Sequence, residues 1–224
     1  MKETLATKVL HQFSESLGAA IDAKDPFTSL HSEEVAEISH SIALSMGLDT
    51  READLIHVAG HLHDIGKIGI PDDILKKKEP LTDLDWKFIR RHPDIGADIL
   101  KPVEALADSG IVDLVRHHHE RFDGQGYPCR LKGETIPLGA RIIALADALS
   151  AILQNRPYRP ARKFEEAVAE IINCSETQFD PGVVAAFLRI KDEVRSILTY
   201  LNPDPLGSVN SLDPADPEDM AVQA

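Results

Sequence analysis

A chain of 224 residues, 43% hydrophobic but only 5% aromatic, is long enough for one sizeable core, which must be largely aliphatic and so suits packed helices. A formal net charge of −13 excludes nonspecific binding to DNA or RNA polymers, which needs an excess of Lys and Arg. It does not exclude a small anionic substrate, because metal ions and a few local cations govern the field inside a pocket.

The predicted elements run as follows. Leu5, Val9, Phe13, Leu17 and Ile21 recur at helical spacing and predict an amphipathic helix over residues 1–24, packed on the domain and stopped near Asp25-Pro26. A second helix follows Ser32, with Val35, Ile38, Ile42 and Met46 on one face, and ends at Gly47. Thr50 is read as the cap of a third, running through His63. Pro71 to Pro80 reads as a loop, and Pro93 as a break between helices over Asp83–His92 and Pro93–Val103. Gly110–Glu120 reads as helical up to a glycine-rich turn, Asp123 to Pro128. Ala140–Gln154 is apolar nearly all round and predicts a buried helix. Helices over Phe164–Asn173 and Pro181–Leu201 complete a domain spanning 25–202, and residues 203–224 read as an acidic, Pro-rich disordered tail. No strand alternation or internal repeat is visible, so the fold class is all-α.

No run is long and apolar enough to span a bilayer, and nothing resembles a signal peptide. Cys129 and Cys174 follow no metal or redox spacing and read as free thiols. A cytoplasmic protein with no membrane partner is expected.

The chemistry concentrates around His63-Asp64, within Ala59-Gly-His-Leu-His-Asp-Ile-Gly-Lys67. An imidazole binds one ion end-on, whereas a carboxylate has two oxygens and can bridge a second. His31, His92, His118, His119 and Asp147 add further candidates; five imidazoles and two carboxylates suit two adjacent ions better than one tetrahedral site. His118 and His119 point about 100° apart in an ideal helix, so both reach one ion only where the helix frays. His11, His40, His57, His61 and His117 are read as solvated or supporting. His57 and His61 have the i, i+4 spacing of a metal pair, but without a His-Glu-x-x-His motif the zinc-protease reading fails.

With His117-His-His-Glu-Arg-Phe-Asp-Gly-Gln-Gly-Tyr-Pro128 added to His63-Asp64-Ile-Gly-Lys67, the chain resembles the HD-GYP family of cyclic-dinucleotide phosphodiesterases within the HD superfamily. His31-Ser32, Ile70-Pro71-Asp72, His92 to Gly96, Arg141 to Asp147, Arg156-Pro-Tyr-Arg159 and Phe179-Asp180-Pro181 agree with it, and the match runs from about Asp25 to about Phe187. The resemblance implies a single helical HD-type domain with a binuclear metal site in its core. By it, Asp64 bridges, His92, His118 and His119 hold one ion, and His31, His63 and Asp147 serve the other. The donor set suits iron or manganese, with zinc also admitted. A metal-bridged hydroxide would open a cyclic dinucleotide, cyclic di-GMP or 3',3'-cyclic GMP-AMP, to its linear 5'-phosphorylated form. Lys67 is expected to contact a phosphate oxygen or assist the leaving group, Arg156 and Arg159 to bind phosphate, and Tyr127 to stack on a purine. Asp25 is carried as a further substrate contact.

Three departures from the family pattern matter. Phe27 stands four residues before His31, where members with a third metal carry a carboxylate, so two ions are expected. Ser150 stands where an Asp is usual and is expected to face the pocket and tolerate either purine. Arg130 replaces a glycine, so its loop must be reshaped if φ > 0 is needed, or Arg130 supplies a phosphate contact. A non-catalytic nucleotide-binding module and an HD hydrolase of another nucleotide stay open as alternatives, as do a homodimer and a fused or partner regulatory domain.

Overall fold

The computed structural model describes residues 5–25, 30–155 and 160–202. Phe27, Arg156, Arg159 and the 203–224 tail lie outside them. Among the described residues there are helices and no strands, with one isolated bridge between Ser175 and Phe179. The helices are α1 (Leu5–Lys24), α2 (His31–Ser45), α3 (Thr50–Leu62), α4 (Asp72–Leu75), α5 (Asp83–Ile89), α6 (His92–Leu100), α7 (Glu104–Asp108), α8 (Ile111–His117), α9 (Leu138–Leu153), α10 (Phe164–Asn173) and α11 (Pro181–Leu201). No helix among them is long and apolar enough to cross a membrane.

The centre is α2, packed by α1, α3, α9 and α11. Val35, Ile38 and Ile42 of α2 are fully buried, as are Ile142, Leu145 and Leu149 of α9 and Val183, Phe187 and Val194 of α11. This aliphatic core is the one that the low aromatic content demands. It fixes the helices from which the polar residues of the site project.

Several local expectations need correction. On α1, Val9 and Phe13 are 54% and 63% exposed, while Leu10, Ser14, Leu17, Gly18 and Ile21 face inward. A strict four-residue repeat drifts about 40° per step around a helix, so the predicted stripe cannot stay on one face. Gly18 lets α1 come close: a Cβ there would stand 2.7 Å from Ser32 Oγ and 2.8 Å from the His61 carbonyl. Ser32 does not precede α2, because His31 opens it; Asp22 of α1 accepts from the Ser32 amide and hydroxyl and so caps α2 from another helix. Asp49, not Thr50, caps α3, in a reciprocal pairing with Glu52. Pro93 lies in the first turn of α6 and starts a helix rather than breaking one, since its missing N–H costs nothing there. The loop from Pro71 contains α4, and α8 stops at His117, before Glu120.

Candidate metal centre

Helix α3 ends at Leu62, and the chain then tightens into a 3-10 turn over Ile65–Gly69, with the Lys67 amide donating to the Asp64 carbonyl at 2.9 Å. Gly66 places this turn directly on α6. A Cβ there would stand 1.9 Å from the His92 carbonyl oxygen and 2.5 Å from the Gly96 nitrogen. That close approach carries Asp64 to His92, whose Nε2 is 3.2 Å from Asp64 Oδ1. His118 caps the C-terminus of α8 and His119 follows it in a turn, so the fraying end lets both rings converge, 4.1 Å between centroids.

The seven expected residues are brought together. His92 Nε2 is 3.2 Å from His118 Nε2. On the other side, His63 Nε2 is 3.3 Å and His31 Nε2 3.8 Å from Asp64 Oδ2. Asp147 Oδ1 lies 3.2 Å from His31 Nε2, and its Oδ2 lies 3.8 Å from His119 Nδ1. Two groups result, Asp64 with His92, His118 and His119, and Asp64 with His31 and His63; each could hold a metal ion, and they share Asp64.

The hydrogen bonds behind the rings fit metal binding. His63, His92 and His118 donate from Nδ1 to the carbonyls of Gly60, Ile89 and Val115 at 2.6, 2.8 and 2.6 Å. His31 Nδ1 is 2.8 Å from Ser150 Oγ, whose hydroxyl donates to Glu34 Oε2 at 2.5 Å. Each of these four rings therefore turns its Nε2 toward the centre, to carry either a proton or a metal ion. His63 Nε2 is buried without a hydrogen-bond partner, an orphan that a metal ion would satisfy.

Electrostatics agree. Burial opposes charge on Asp64, but Lys67, His63 and His92 outweigh it and hold its carboxyl well below the usual range. Asp147 is likewise held down, against its burial, by His31, His119 and His63. Burial pushes His92 down to about 3, even against Asp64, so it presents a neutral ring. His63 goes the other way: burial is overcome by Asp64 and Asp147, raising it from 6.5 to about 9. In metal-free protein a proton on His63 thus occupies the position a cation would take. The raised value stabilises the metal-free fold fully below about 6.5 and is lost as pH climbs through about 9. Metal uptake should move oppositely, strengthening roughly tenfold per pH unit below about 9 as that proton is released. Titration calorimetry in buffers of different ionisation enthalpy checks this; zero proton release at pH 7 would refute it.

The expected substrate contacts fare unevenly. Lys67 is not a solvated cation: its Nζ lies 2.8 Å from Asp64 Oδ2 and 3.0 Å from Asp25 Oδ2. Burial would lower it, but those carboxylates win and raise it. Asp25 is buried and faces Lys67. The Tyr127 ring packs on His119, 4.8 Å between centroids, and Arg90 stands 5.6 Å from the Tyr127 ring. Arg90 was not singled out in the sequence; the only signal was a cation two residues before His92.

Arg130 is exposed and itself adopts φ 56, so the loop keeps the left-handed conformation without glycine. Buried Glu120 holds it there, accepting from the flanking amides of Cys129 and Leu131 at 2.6 and 3.0 Å. Arg141 pairs with Asp180, which also caps α11 by accepting from the Gly182 amide, so those motif residues join α9 to α11.

Ser150 needs correction. It is fully buried behind His31, with its hydroxyl committed to Glu34, and does not face the substrate side. One turn from Asp147 puts it on the same helix face, but His31 lies between. Ser150→Ala should therefore leave base preference unchanged and weaken metal retention about 10- to 100-fold, the usual cost of losing a ligand's supporting hydrogen bond. Metal loss under chelator competition measures it; wild-type retention would reject the supporting role. His57 and His61 are not solvated either, at 5% and 2% exposure.

An all-helical domain whose core gathers five imidazoles and two carboxylates defines a class of metal-binding helical proteins. The family model described as HD domain matches residues 15–183, and the chain belongs to that family. It is 39% identical over 182 residues, 81% of this chain and 48% of the relative, to the cyclic di-GMP phosphodiesterase response regulator RpfG of Xanthomonas campestris pv. campestris (strain 8004). It is 34% identical over 189 residues, 84% of this chain and 36% of the relative, to 3'3'-cGAMP-specific phosphodiesterase 2 of Vibrio cholerae. The chain spans about half or less of the length of such relatives. Among solved structures, the HDG"Y"P protein Bd1817 from Bdellovibrio bacteriovorus matches with TM-score 0.64 at 16% identity, covering 83% of this chain and 64% of that one. A cyclic GMP-AMP specific phosphodiesterase of V. cholerae (V-cGAP3) matches with TM-score 0.63 at 21% identity, covering 91% and 51%. The HD-GYP resemblance and the all-α fold are borne out.

Proposed function

We propose that this chain is a metal-dependent phosphodiesterase that hydrolyses a cyclic dinucleotide, cyclic di-GMP or 3',3'-cyclic GMP-AMP, to a linear 5'-phosphorylated dinucleotide. The observation that carries the reading is the shared carboxylate of Asp64, whose two oxygens face two imidazole groups. Relatives named for both substrates support the substrate class. Asp64, His92, His118 and His119 would hold one ion and His31, His63 and Asp147 the other, with iron or manganese the best fit to nitrogen and carboxylate donors. When bound, such a pair supplies charge neutralisation at phosphorus and an activated water.

The chain's own groups set the geometry. The carbonyls of Gly60, Ile89 and Val115 and the Ser150 hydroxyl orient the imidazoles. Lys67, held by Asp64 and Asp25, is assigned to orient Asp64 and to contact a phosphate oxygen or assist the leaving group. Tyr127 beside His119, Arg90 over the Tyr127 ring, and Arg156 and Arg159 are assigned to binding the dinucleotide. Residues 25–202 are assigned as the catalytic domain, and the packing of α1 against α2, α3 and the Ile65–Gly69 turn supports a preceding helix docked on it.

The test is direct. Protein loaded anaerobically with iron or manganese is incubated with cyclic di-GMP, 3',3'-cyclic GMP-AMP and cyclic di-AMP, and products are separated chromatographically. A linear dinucleotide from one of the first two is expected. Fully metallated protein that binds a dinucleotide without turnover would replace the enzyme with a binding module.

A further inference from the structure

On α3, one turn before the His63–Asp64 end, lies a second imidazole cluster that shares no residue with the centre above. His57 and His61 are both buried, and their Nε2 atoms stand 2.9 Å apart. His11 reaches over from α1, its ring stacked on His57 at 4.7 Å and edge-on to His61 at 5.8 Å. One ring nitrogen from each of His11, His57 and His61 falls within 4.8 Å of the others. His61 Nδ1 is buried without a hydrogen-bond partner, and the nearest opposite charge, Glu33 Oε2 of α2, is 3.8 Å away.

An N–H···N hydrogen bond between His57 and His61 would explain their spacing but not the rest. It gives the third imidazole, His11, no polar role in the cluster. A shared cation uses one ring nitrogen from each of the three. Two nitrogens about 2.1 Å from one tetrahedral ion stand roughly 3.4 Å apart, so the pair, 2.9 Å apart here, opens by about half an ångström to share one. With Nε2 of His61 on the ion, its Nδ1 carries the proton, and Glu33 Oε2, 3.8 Å away, is the carboxylate that closes to hydrogen-bond distance to back it. His11 is half-buried on α1, and a small shift of its ring brings the third nitrogen within reach.

We infer that His11, His57 and His61 form a second metal site for one late first-row divalent cation of the zinc class, backed by Glu33. Three imidazoles without thiolates select zinc, nickel, cobalt or copper over magnesium or calcium. The site ties α1 to α3. Because α1 ends at the segment whose Asp25 faces Lys67, its occupancy steadies a helix that reaches the first centre.

Zinc binding by the full chain tests this. Asp64→Ala disables the shared carboxylate of the first centre, so zinc held there is reduced. The Asp64→Ala/His11→Gln protein should bind one equivalent fewer than Asp64→Ala in equilibrium dialysis, with affinity at this site lowered roughly 100-fold or more. Zinc should raise the melting temperature of Asp64→Ala more than that of the double variant. Cobalt should give visible bands in Asp64→Ala that His57→Gln weakens. Wild-type crystals soaked in zinc chloride supply a readout independent of any variant: anomalous density is expected among the three rings. Density confined to the His63–Asp64 centre, or equal zinc stoichiometry with and without His11, overturns the site. Absence of phosphodiesterase activity leaves this prediction standing, because none of these readouts uses turnover.

Discussion

Asp64→Ala should cut cyclic-dinucleotide hydrolysis by roughly 1,000-fold or more and leave a protein that no longer retains two ions at the centre. The reason is geometric. Asp64 Oδ1 faces His92 at 3.2 Å and Oδ2 faces His63 at 3.3 Å, so one side chain serves both halves of the cluster. Its removal also takes from Lys67 one of its two carboxylate partners and removes the largest charge that raises His63. His63 should then titrate lower, and the proton released on metal uptake near pH 7 should diminish. Asp64→Asn separates the roles: it keeps the shape but loses the charge and half the acceptors. Metal content by mass spectrometry, with helical circular dichroism as the folding control, decides the matter. A folded Asp64→Ala protein with two tightly held ions at this centre would end the bridging assignment.

Gly66→Ala should destabilise the fold by about 3 kcal/mol or more, although a single methyl is added. A Cβ at Gly66 would sit 1.9 Å from the His92 carbonyl and 2.5 Å from the Gly96 nitrogen. Both are backbone atoms, so no flexible side chain can yield; the Ile65–Gly69 turn must lift off α6. Asp64 and His92 lie on opposite sides of that contact, and their 3.2 Å approach depends on it. Metal affinity should therefore fall along with stability, in a residue that ligates nothing. Urea denaturation and chelator competition measure the two effects. A variant within about 0.5 kcal/mol of wild type would show that the turn does not rest on α6 as described.

Much of this was legible in the chain. The apolar face of α2, the all-round apolar character of α9 and the ranges read for α10 and α11 fall within a few residues of the observed helices. The seven site residues could be chosen because the motifs that carry them resemble the HD-GYP pattern, and the structure brings all seven together. Helix spacing puts Ser150 one turn from Asp147, which gives direction around an axis but not what stands between it and the centre. His31 stands there, Lys67 is shared by Asp64 and by Asp25 of another segment, and α1 buries His57 beside His11.

The sequence by itself determined residue chemistry and local periodicity: an aliphatic all-helical core, a dense set of nitrogen and carboxylate donors, and a glycine-rich turn after His118–His119. Only the tertiary structure decided which donors share a centre, which ring nitrogens face it and which polar groups stand behind them. It decided too that His11, 46 residues before His57, joins it in a second cluster. These depend on helix crossings over long sequence separations, set by close approaches at Gly18 and Gly66, and a local pattern carries no information about the partner against which a helix packs.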